Sequence, residues 1–294
     1  MPEPQGLFFR PTGTTRLGGL IGSPVAHSLS PMMHNDSFYQ LGIDYVYLCF
    51  DIGSDRLSTV VGALREMNAY GFNVTMPHKS AVISCLDELS REAALCGAVN
   101  TVVNRSGHLT GYNTDGTGFM KAVRNRGWDV TGKEITLIGA GGAGSAIASA
   151  AAFSGISALH IACRRSHSWE RVSHMAARLS SRSGIRVSVI DLADQAAFGQ
   201  AVSQSCLLVN TTSVGMVPDT DKSPVADFSI LRDDLWAADV IYHPGTTLFL
   251  KEAKRRGLEV MGGLEMLLAQ GEEAFELWTG KQMPTDLIRK RYFS

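Results

Sequence analysis

Lys79 and Asp115 are the residues of this chain best suited to proton chemistry, and each lies in a polar loop after a short β-prone run. The lysine ends the stretch Asn-Val-Thr-Met-Pro-His-Lys at 73–79, and the aspartate lies within Gly-Tyr-Asn-Thr-Asp-Gly-Thr-Gly at 111–118. A lysine ammonium can donate a proton to a carbonyl oxygen, and a neighbouring carboxylate orients it. Further on, an apolar run enters Gly139, Gly141 and Gly144, with Gly142 and Ala143 inside the turn. This is a GxGxxG pattern opening an alanine-rich segment. The first glycine bends the chain, the second lets backbone N–H groups approach a pyrophosphate, and the third lets helix and strand pack closely. The helix N-terminus favours the anion. An ammonium, a carboxylate and a nicotinamide dinucleotide site are the parts needed to reduce a carbonyl. Plainer roles fit the same residues: a surface lysine at a helix start, and an aspartate in good turn chemistry.

The choice of nucleotide is also legible. An NAD site usually carries Asp or Glu at the end of the second strand, to bind the ribose 2′-hydroxyl. Here that end reads Ala162, Cys163, Arg164, Arg165, Ser166, with no acid. Two guanidiniums beside a hydroxyl suit a 2′-phosphate, so NADP is the expected cofactor and NAD the alternative. A solvated basic turn has the same composition. Ser28 and Ser30 lie two apart in an extended stretch, which turns both hydroxyls to one side and suits a small carboxylate. Ser30 also reads as an N-cap before Pro31. No HExxH or GxSxG pattern occurs, so neither a metal site nor a serine hydrolase is expected. His27, His34 and His78 read as polar packing groups rather than ligands.

These groups need a scaffold. The 294 residues, 45% of them hydrophobic, suit two domains. A net charge of −1 offers no global field for nucleic acid or an anionic membrane. Five cysteines without a CxxC pair point to reduced thiols, hence a cytoplasmic protein. The polar stretch 1–16 lacks an apolar h-region, so a signal peptide is not expected, and no apolar run has membrane-span length. Strands are predicted at 17–21, 45–50, 71–74, 98–103 and 109–112. Helices are predicted at 31–41 and 57–67, with another after Lys79 carrying Ala81, Val82, Cys85, Leu86 and Leu89. A connecting helix at 117–126 follows. Strands at 135–138, 158–163, 186–190, 207–210 and 237–241 then alternate with helices at 143–153, 169–179, 195–202 and 246–256, the period of a doubly wound parallel sheet. A last helix at 264–277 is expected to return to the first domain. The expected fold is α/β with two domains. Residues 1–114 with 263–294 form the substrate-binding and catalytic domain, and 115–262 form a Rossmann dinucleotide-binding domain.

Seven segments, at 22–31, 73–79, 97–101, 111–118, 139–144, 210–216 and 266–270, stand in the order seen in shikimate dehydrogenases. The chain resembles that family over nearly all of its length after Arg16. The segments 191–195 and 277–281 resemble its quinate/shikimate branch. The resemblance implies reversible, NADP-linked reduction of 3-dehydroshikimate to shikimate, a step of chorismate and aromatic amino acid biosynthesis. It assigns Ser28 and Ser30 to the substrate carboxylate, and Thr75, Asn100, Asp115 and Gln270 to ring hydroxyls. Lys79, paired with Asp115, becomes the acid/base. Gln270 follows Met266 by one helical turn, so both face one side. Tyr242 falls near nicotinamide and substrate, Met216 flanks the nicotinamide, and Thr211 and Gly263 join the cofactor-binding set. An ordinary strand-end aromatic and a core methionine are the plain alternatives for Tyr242 and Met216. Cys163 departs from the Asn that relatives often carry, and Ser166 from the Asp that the quinate/shikimate branch can carry. Two other functions fit. One is a quinate/shikimate dehydrogenase of dual NAD/NADP specificity, against which Ser28, Ser30 and Thr75 favour shikimate. The other is a catalytically inactive ligand-binding regulator, against which Lys79, Asp115, Asn100 and Gln270 stand. Relatives occur as monomers and as homodimers.

Overall fold

The computed structural model describes residues 11–293. Residues 1–10, most of the stretch in which no signal peptide is expected, lie outside the described residues. The chain forms two compact units, Met1–Thr114 with Gln270–Ser294, and Asp115–Ala269.

The first unit is built on β1 (Arg16–Gly22), α1 (Ser30–Gln40), β2 (Tyr45–Asp51), α2 (Leu57–Glu66), β3 (Gly71–Val74), β4 (Glu88–Leu89), α3 (Arg91–Cys96), β5 (Thr101–Arg105) and β6 (His108–Tyr112). Its sheet has the order β2-β1-β3-β5-β6-β4. β1 pairs in parallel with β2 and β3, β5 runs antiparallel to β3 and β6, and β4 pairs in parallel with β6. Ile21, Phe72, Val74, Val102 and Leu109 point from these strands into one core against Val61 and Leu64 of α2.

Two local expectations change here. The helix predicted after Lys79 is only a short 3₁₀ turn, Ala81–Cys85. Leu86 is already extended, and Asp87 N–H bonds Leu109 O at 3.0 Å, so sheet pairing overrides the helical spacing. The cap of α1 also shifts by one residue. Leu29 is the N-cap, Ser30 begins the helix, and Ser28 Oγ accepts the Ser30 N–H at 3.2 Å.

The second unit follows α4 (Thr114–Asn125) with β7 (Glu134–Ile138), α5 (Gly142–Ala152), β8 (Ala158–Cys163), α6 (Trp169–Ser183), β9 (Arg186–Asp191), α7 (Gln195–Gln204), β10 (Ser205–Asn210), β11 (Trp236–Asp239), α8 (Leu248–Arg255) and β12 (Val260–Met261). The sheet order is β12-β11-β10-β7-β8-β9, with every pair parallel. This is a doubly wound sheet whose strand order reverses between β7 and β10. Helices bury both faces: Ile147, Ala148, Met175 and Leu179 lie in one core, and Phe198, Val202, Phe249 and Ala253 in the other. That is why its strands read as nearly continuous apolar runs.

Helix α9 (Gly263–Thr279) carries the chain back into the first unit, and α10 (Thr285–Tyr292), which the sequence did not suggest, ends it. Phe275 of α9 stacks on Phe38 at 5.1 Å. Trp278 Nε1 donates to Val102 O at 3.0 Å, and Gly71 is required beneath it, because a Cβ there would strike the indole. Arg291 grips both oxygens of Asp36 at 2.7 Å. His34 is wholly buried among these rings, and desolvation pushes its pKa down to about 3, so it packs as a neutral ring. His78 is also buried, one ring nitrogen lying 2.8 Å from Ile52 O. His27 is exposed, contrary to the packing role expected of it. Among the described residues no helix is long and apolar enough to cross a membrane.

Trp278 fills the centre of the α9 contact and satisfies a buried carbonyl. Trp278→Ala is expected to lower the unfolding free energy of the first unit by about 3–5 kcal/mol in denaturant titrations. A loss below about 1 kcal/mol would show that α9 is not integral to this core.

Candidate active site

Parallel pairing brings the reactive groups of the first unit to one edge. β1 and β3 end together, β5 starts opposite the end of β3 (Asn73 pairs with Thr101), and β6 ends where β5 starts (Thr101 pairs with Tyr112). Ser28 and Ser30 follow β1, Thr75 and Lys79 follow β3, and Asn100 precedes β5. The loops are stitched to one another. Ser23 N–H bonds Met76 O at 2.9 Å, Thr75 N–H bonds Ile21 O at 2.9 Å, and Val99 N–H bonds Lys79 O at 2.8 Å. Ser28, Thr75 and Lys79 are half-buried, and Ser30 is buried.

Asn100 is only 3% exposed. Its Oδ1 accepts Thr114 N–H at 2.8 Å and the Thr101 hydroxyl at 3.0 Å, while Nδ2 donates to Thr114 Oγ1 at 3.0 Å. Gln270 is half-buried on α9. Its neighbour Gly271 lies so close to α1 that a Cβ there would come within 3.0 Å of Met33 Cε. Helix α9 thus carries Gln270 to the helix that Ser30 opens. Asp115 follows Thr114 directly and is buried in the first turn of α4, where helix N–H groups favour a carboxylate. It belongs to the second unit, as do Thr211, Met216, Tyr242 and Gly263.

In the second unit β7 is followed by Gly139, whose φ of +103° demands glycine. Gly141 is the extended N-cap of α5, and a Cβ there would meet nothing within 4 Å. Gly142 is exposed, Ala143 half-buried, and Gly144 buried. A Cβ on Gly144 would fall 2.6 Å from Gly139 O and 2.5 Å from Thr211 Oγ1, so the third glycine sets the packing of α5 on the turn. Thr211 is a brace for that turn: its hydroxyl donates to Ile138 O at 2.9 Å and Gly139 O at 3.1 Å.

At the end of β8, Arg164, Arg165 and Ser166 are all exposed. The Arg165 guanidinium lies 5.5 Å from the Trp169 ring centre, and Ser166 Oγ lies 3.0 Å from Ser168 Oγ. An open helix N-terminus, two guanidiniums and two hydroxyls form a donor set that fits the pyrophosphate and 2′-phosphate of NADP. Arg171, not singled out from the sequence, donates to Ala140 O at 2.9 Å and adds a cation behind the glycine turn. Met216 is 40% exposed, so it is not a core residue. Tyr242 is half-buried beyond β11, and Gly263 is buried where any Cβ would collide with Val240 O.

Asp239, also unremarked in the sequence, anchors the loop that bears Thr211 and Met216. This buried carboxylate accepts from Ile241 N–H at 3.0 Å, Asn210 Nδ2 at 3.1 Å and the Thr247 hydroxyl at 2.7 Å. Asn210 Oδ1 in turn accepts from Thr212 N–H at 3.0 Å and its hydroxyl at 2.7 Å. Desolvation raises the Asp239 pKa to about 6, against the opposing pull of these donors. An acid ending a strand of otherwise apolar and small residues was the available signal. Among the described residues no group of His, Cys, Asp and Glu could hold a metal ion.

A doubly wound sheet with a glycine-rich turn after its first strand, in one chain with an α/β unit that gathers polar groups at its strand ends, is the architecture of an NAD(P)-dependent oxidoreductase. Residues 20–102 match the model of the shikimate dehydrogenase substrate binding domain, and residues 263–291 that of the shikimate 5′-dehydrogenase C-terminal domain. A curated protein of Listeria monocytogenes serotype 4b (strain F2365), named shikimate dehydrogenase (NADP+), is 42% identical over 97% of this chain and 98% of its own. The crystal structure of shikimate 5-dehydrogenase from Listeria monocytogenes, in complex with shikimate and NAD, matches with a TM-score of 0.92 and 42% identity, covering 96% of this chain and 98% of that one. A quinate dehydrogenase from Corynebacterium glutamicum in complex with NAD matches with a TM-score of 0.84 and 32% identity, over 94% of this chain and 98% of that one. The chain belongs to the shikimate dehydrogenase family.

The raised pKa of Asp239 has a defined sign. The folded protein holds this proton up to about pH 6, whereas the free carboxyl, at 3.8, releases it earlier. The stabilisation from protonation is therefore fully present below pH 3.8 and is lost as pH rises through 6. Relative to Asp239→Asn, the wild type should gain on the order of 2–3 kcal/mol of unfolding free energy as pH falls from about 7 to about 4. Paired unfolding titrations across that range check it, and a pH-independent difference would refute it.

Proposed function

We infer that this chain catalyses the reversible, NADP-linked reduction of 3-dehydroshikimate to shikimate, within chorismate and aromatic amino acid biosynthesis. The observation that carries this reading is the gathering of Ser28, Ser30, Thr75, Lys79 and Asn100 at one strand edge of the first unit. Residues 1–114 with 263–294 would hold the substrate, and 115–262 the dinucleotide. Bound NADP supplies hydride exchange at its nicotinamide ring. The Ser28 and Ser30 hydroxyls donate to the substrate carboxylate. Thr75, Asn100, Asp115 and Gln270 engage the ring hydroxyls and fix which carbon faces the nicotinamide. Lys79 Nζ donates a proton to the C3 carbonyl oxygen during reduction and takes it back during oxidation. Asp115 orients the ammonium. Gly139, Gly141, Gly142, Ala143 and Gly144 would hold the pyrophosphate, Arg164, Arg165 and Ser166 the 2′-phosphate, and Met216 and Tyr242 the nicotinamide end. Thr211 and Gly263 act by shaping the backbone around it. Oxidation releases a proton, so rising pH favours 3-dehydroshikimate and falling pH favours shikimate.

The protein would act in the cytoplasm on a small molecule, as a monomer or homodimer, without nucleic acid or membrane partners. Its net charge of −1 supports the last point, since it provides no global field for either partner. A second reading, dual use of quinate and of NAD, draws support from the Corynebacterium quinate dehydrogenase and from the NAD in the Listeria complex.

Initial rates on a grid of shikimate or quinate with NADP or NAD separate the two. The expected result is turnover chiefly of shikimate with NADP; comparable rates with quinate or NAD would establish dual specificity. Lys79→Ala is expected to retain both ligands and lose at least about 100-fold in kcat. Undiminished turnover would remove Lys79 from the proton transfer. A wild type that binds both ligands without turnover would be the regulator.

A further inference from the structure

Tyr47, on β2, belongs to none of the motifs that carry the family resemblance, yet its hydroxyl lies beneath the substrate edge. The side chain is fully buried, and Oη donates to Asn73 Oδ1 at 2.7 Å. Asn73 cannot turn its amide over, because Nδ2 donates both to Asn100 O and to Thr101 Oγ1 at 3.0 Å. Thr101 passes its own proton to Asn100 Oδ1 at 3.0 Å, and the Thr114 N–H fixes that oxygen as an acceptor. The polarity of the chain from Tyr47 through Asn73 and Thr101 to Asn100 is therefore set by backbone groups. The Tyr47 backbone is equally constrained: Asn35 of α1 accepts its N–H and donates to its carbonyl, both at 2.8 Å.

We propose that Tyr47 is a positioning residue for the substrate. Its backbone and its hydroxyl together tie α1, the helix that Ser30 opens, to the buried amide network that holds Asn100, and so fix the spacing between the carboxylate-binding and ring-hydroxyl-binding groups. This rests on the roles given above to Ser30 and Asn100. Removing the hydroxyl leaves Asn73 Oδ1 without its donor and frees the Asn73 amide that holds Asn100 O, and this change falls on the substrate side alone.

Tyr70 provides a matched control. It lies in the same aromatic cluster, 5.5 Å from Trp278, and its buried hydroxyl has no hydrogen-bond partner among the described residues. Steady-state kinetics of full-length Tyr47→Phe and Tyr70→Phe should differ. Tyr47→Phe should raise the KM for shikimate about tenfold and leave the KM for NADP within about twofold. Tyr70→Phe should change neither. An unchanged shikimate KM in Tyr47→Phe, or equal shifts in both KM values, would overturn the proposal while leaving the assigned reaction intact. Absence of shikimate turnover in the wild type would overturn the assigned reaction, and the proposal with it. Should Tyr47→Phe fail to fold, 3-fluorotyrosine at 47 or 70 keeps ring and hydroxyl while strengthening the donor. Shikimate KM must then shift for position 47 only, and no shift at 47 would overturn the proposal.

Discussion

Parallel strand pairing is the constraint on which the rest of this structure depends. In the first unit, β1 and β3 lie side by side in the same direction, so the loops that leave them emerge at one edge. That single fact joins Ser28 and Ser30 to Thr75 and Lys79, although an intervening helix, strand and helix separate them in sequence. The antiparallel β5 then brings Asn100 to the edge from the opposite direction. In the second unit the same rule acts at β7 and β10, where the strand order reverses. Thr211, one residue beyond β10, thereby reaches the glycine turn that follows β7. Ligand sites of doubly wound sheets fall at such reversals, because the two loops there diverge and leave an opening.

An edge of loops carries many backbone and amide groups away from water, and each must be satisfied. The first unit does this with Asn73, Asn100, Thr101 and Thr114, which exchange hydrogen bonds among themselves and with the ends of β3 and β6. The second does it with Asp239, Asn210, Thr212 and Thr247. Both networks hold their loops through side chains that are largely buried. Their rigidity comes from low local dielectric, which strengthens satisfied hydrogen bonds and penalises broken ones. The Asp239 pKa near 6 records the desolvation that this arrangement tolerates.

Much of this was legible beforehand because it is local. Gly139, Gly141 and Gly144 have a required spacing, and the parallel strands of the second unit, buried on both faces, show as apolar runs. What failed did so where distant residues compete with local preference. The apolar spacing at 81–89 suggests a helix, but Leu86 and Leu89 pack on Gly111 and draw the chain into β4. Helix α10 carries a weak apolar face and is held by the Arg291–Asp36 pair, which no local pattern reveals. His27 and His34 look alike in sequence, yet one faces water and the other lies among aromatic rings.

The sequence by itself determined the chemistry available to this protein: which side chains can donate or accept, and that most of them sit at or near the end of a strand or the start of a helix. Those properties are local, set by residue type and by the backbone angles that glycine and proline permit. Only the tertiary structure decided which loops share an edge, that Thr211 braces the glycine turn, and that Tyr47, Asn73, Arg171 and Asp239 hydrogen-bond the loops around them. Burial and strand register create those relations, and both arise from pairings between segments far apart along the chain.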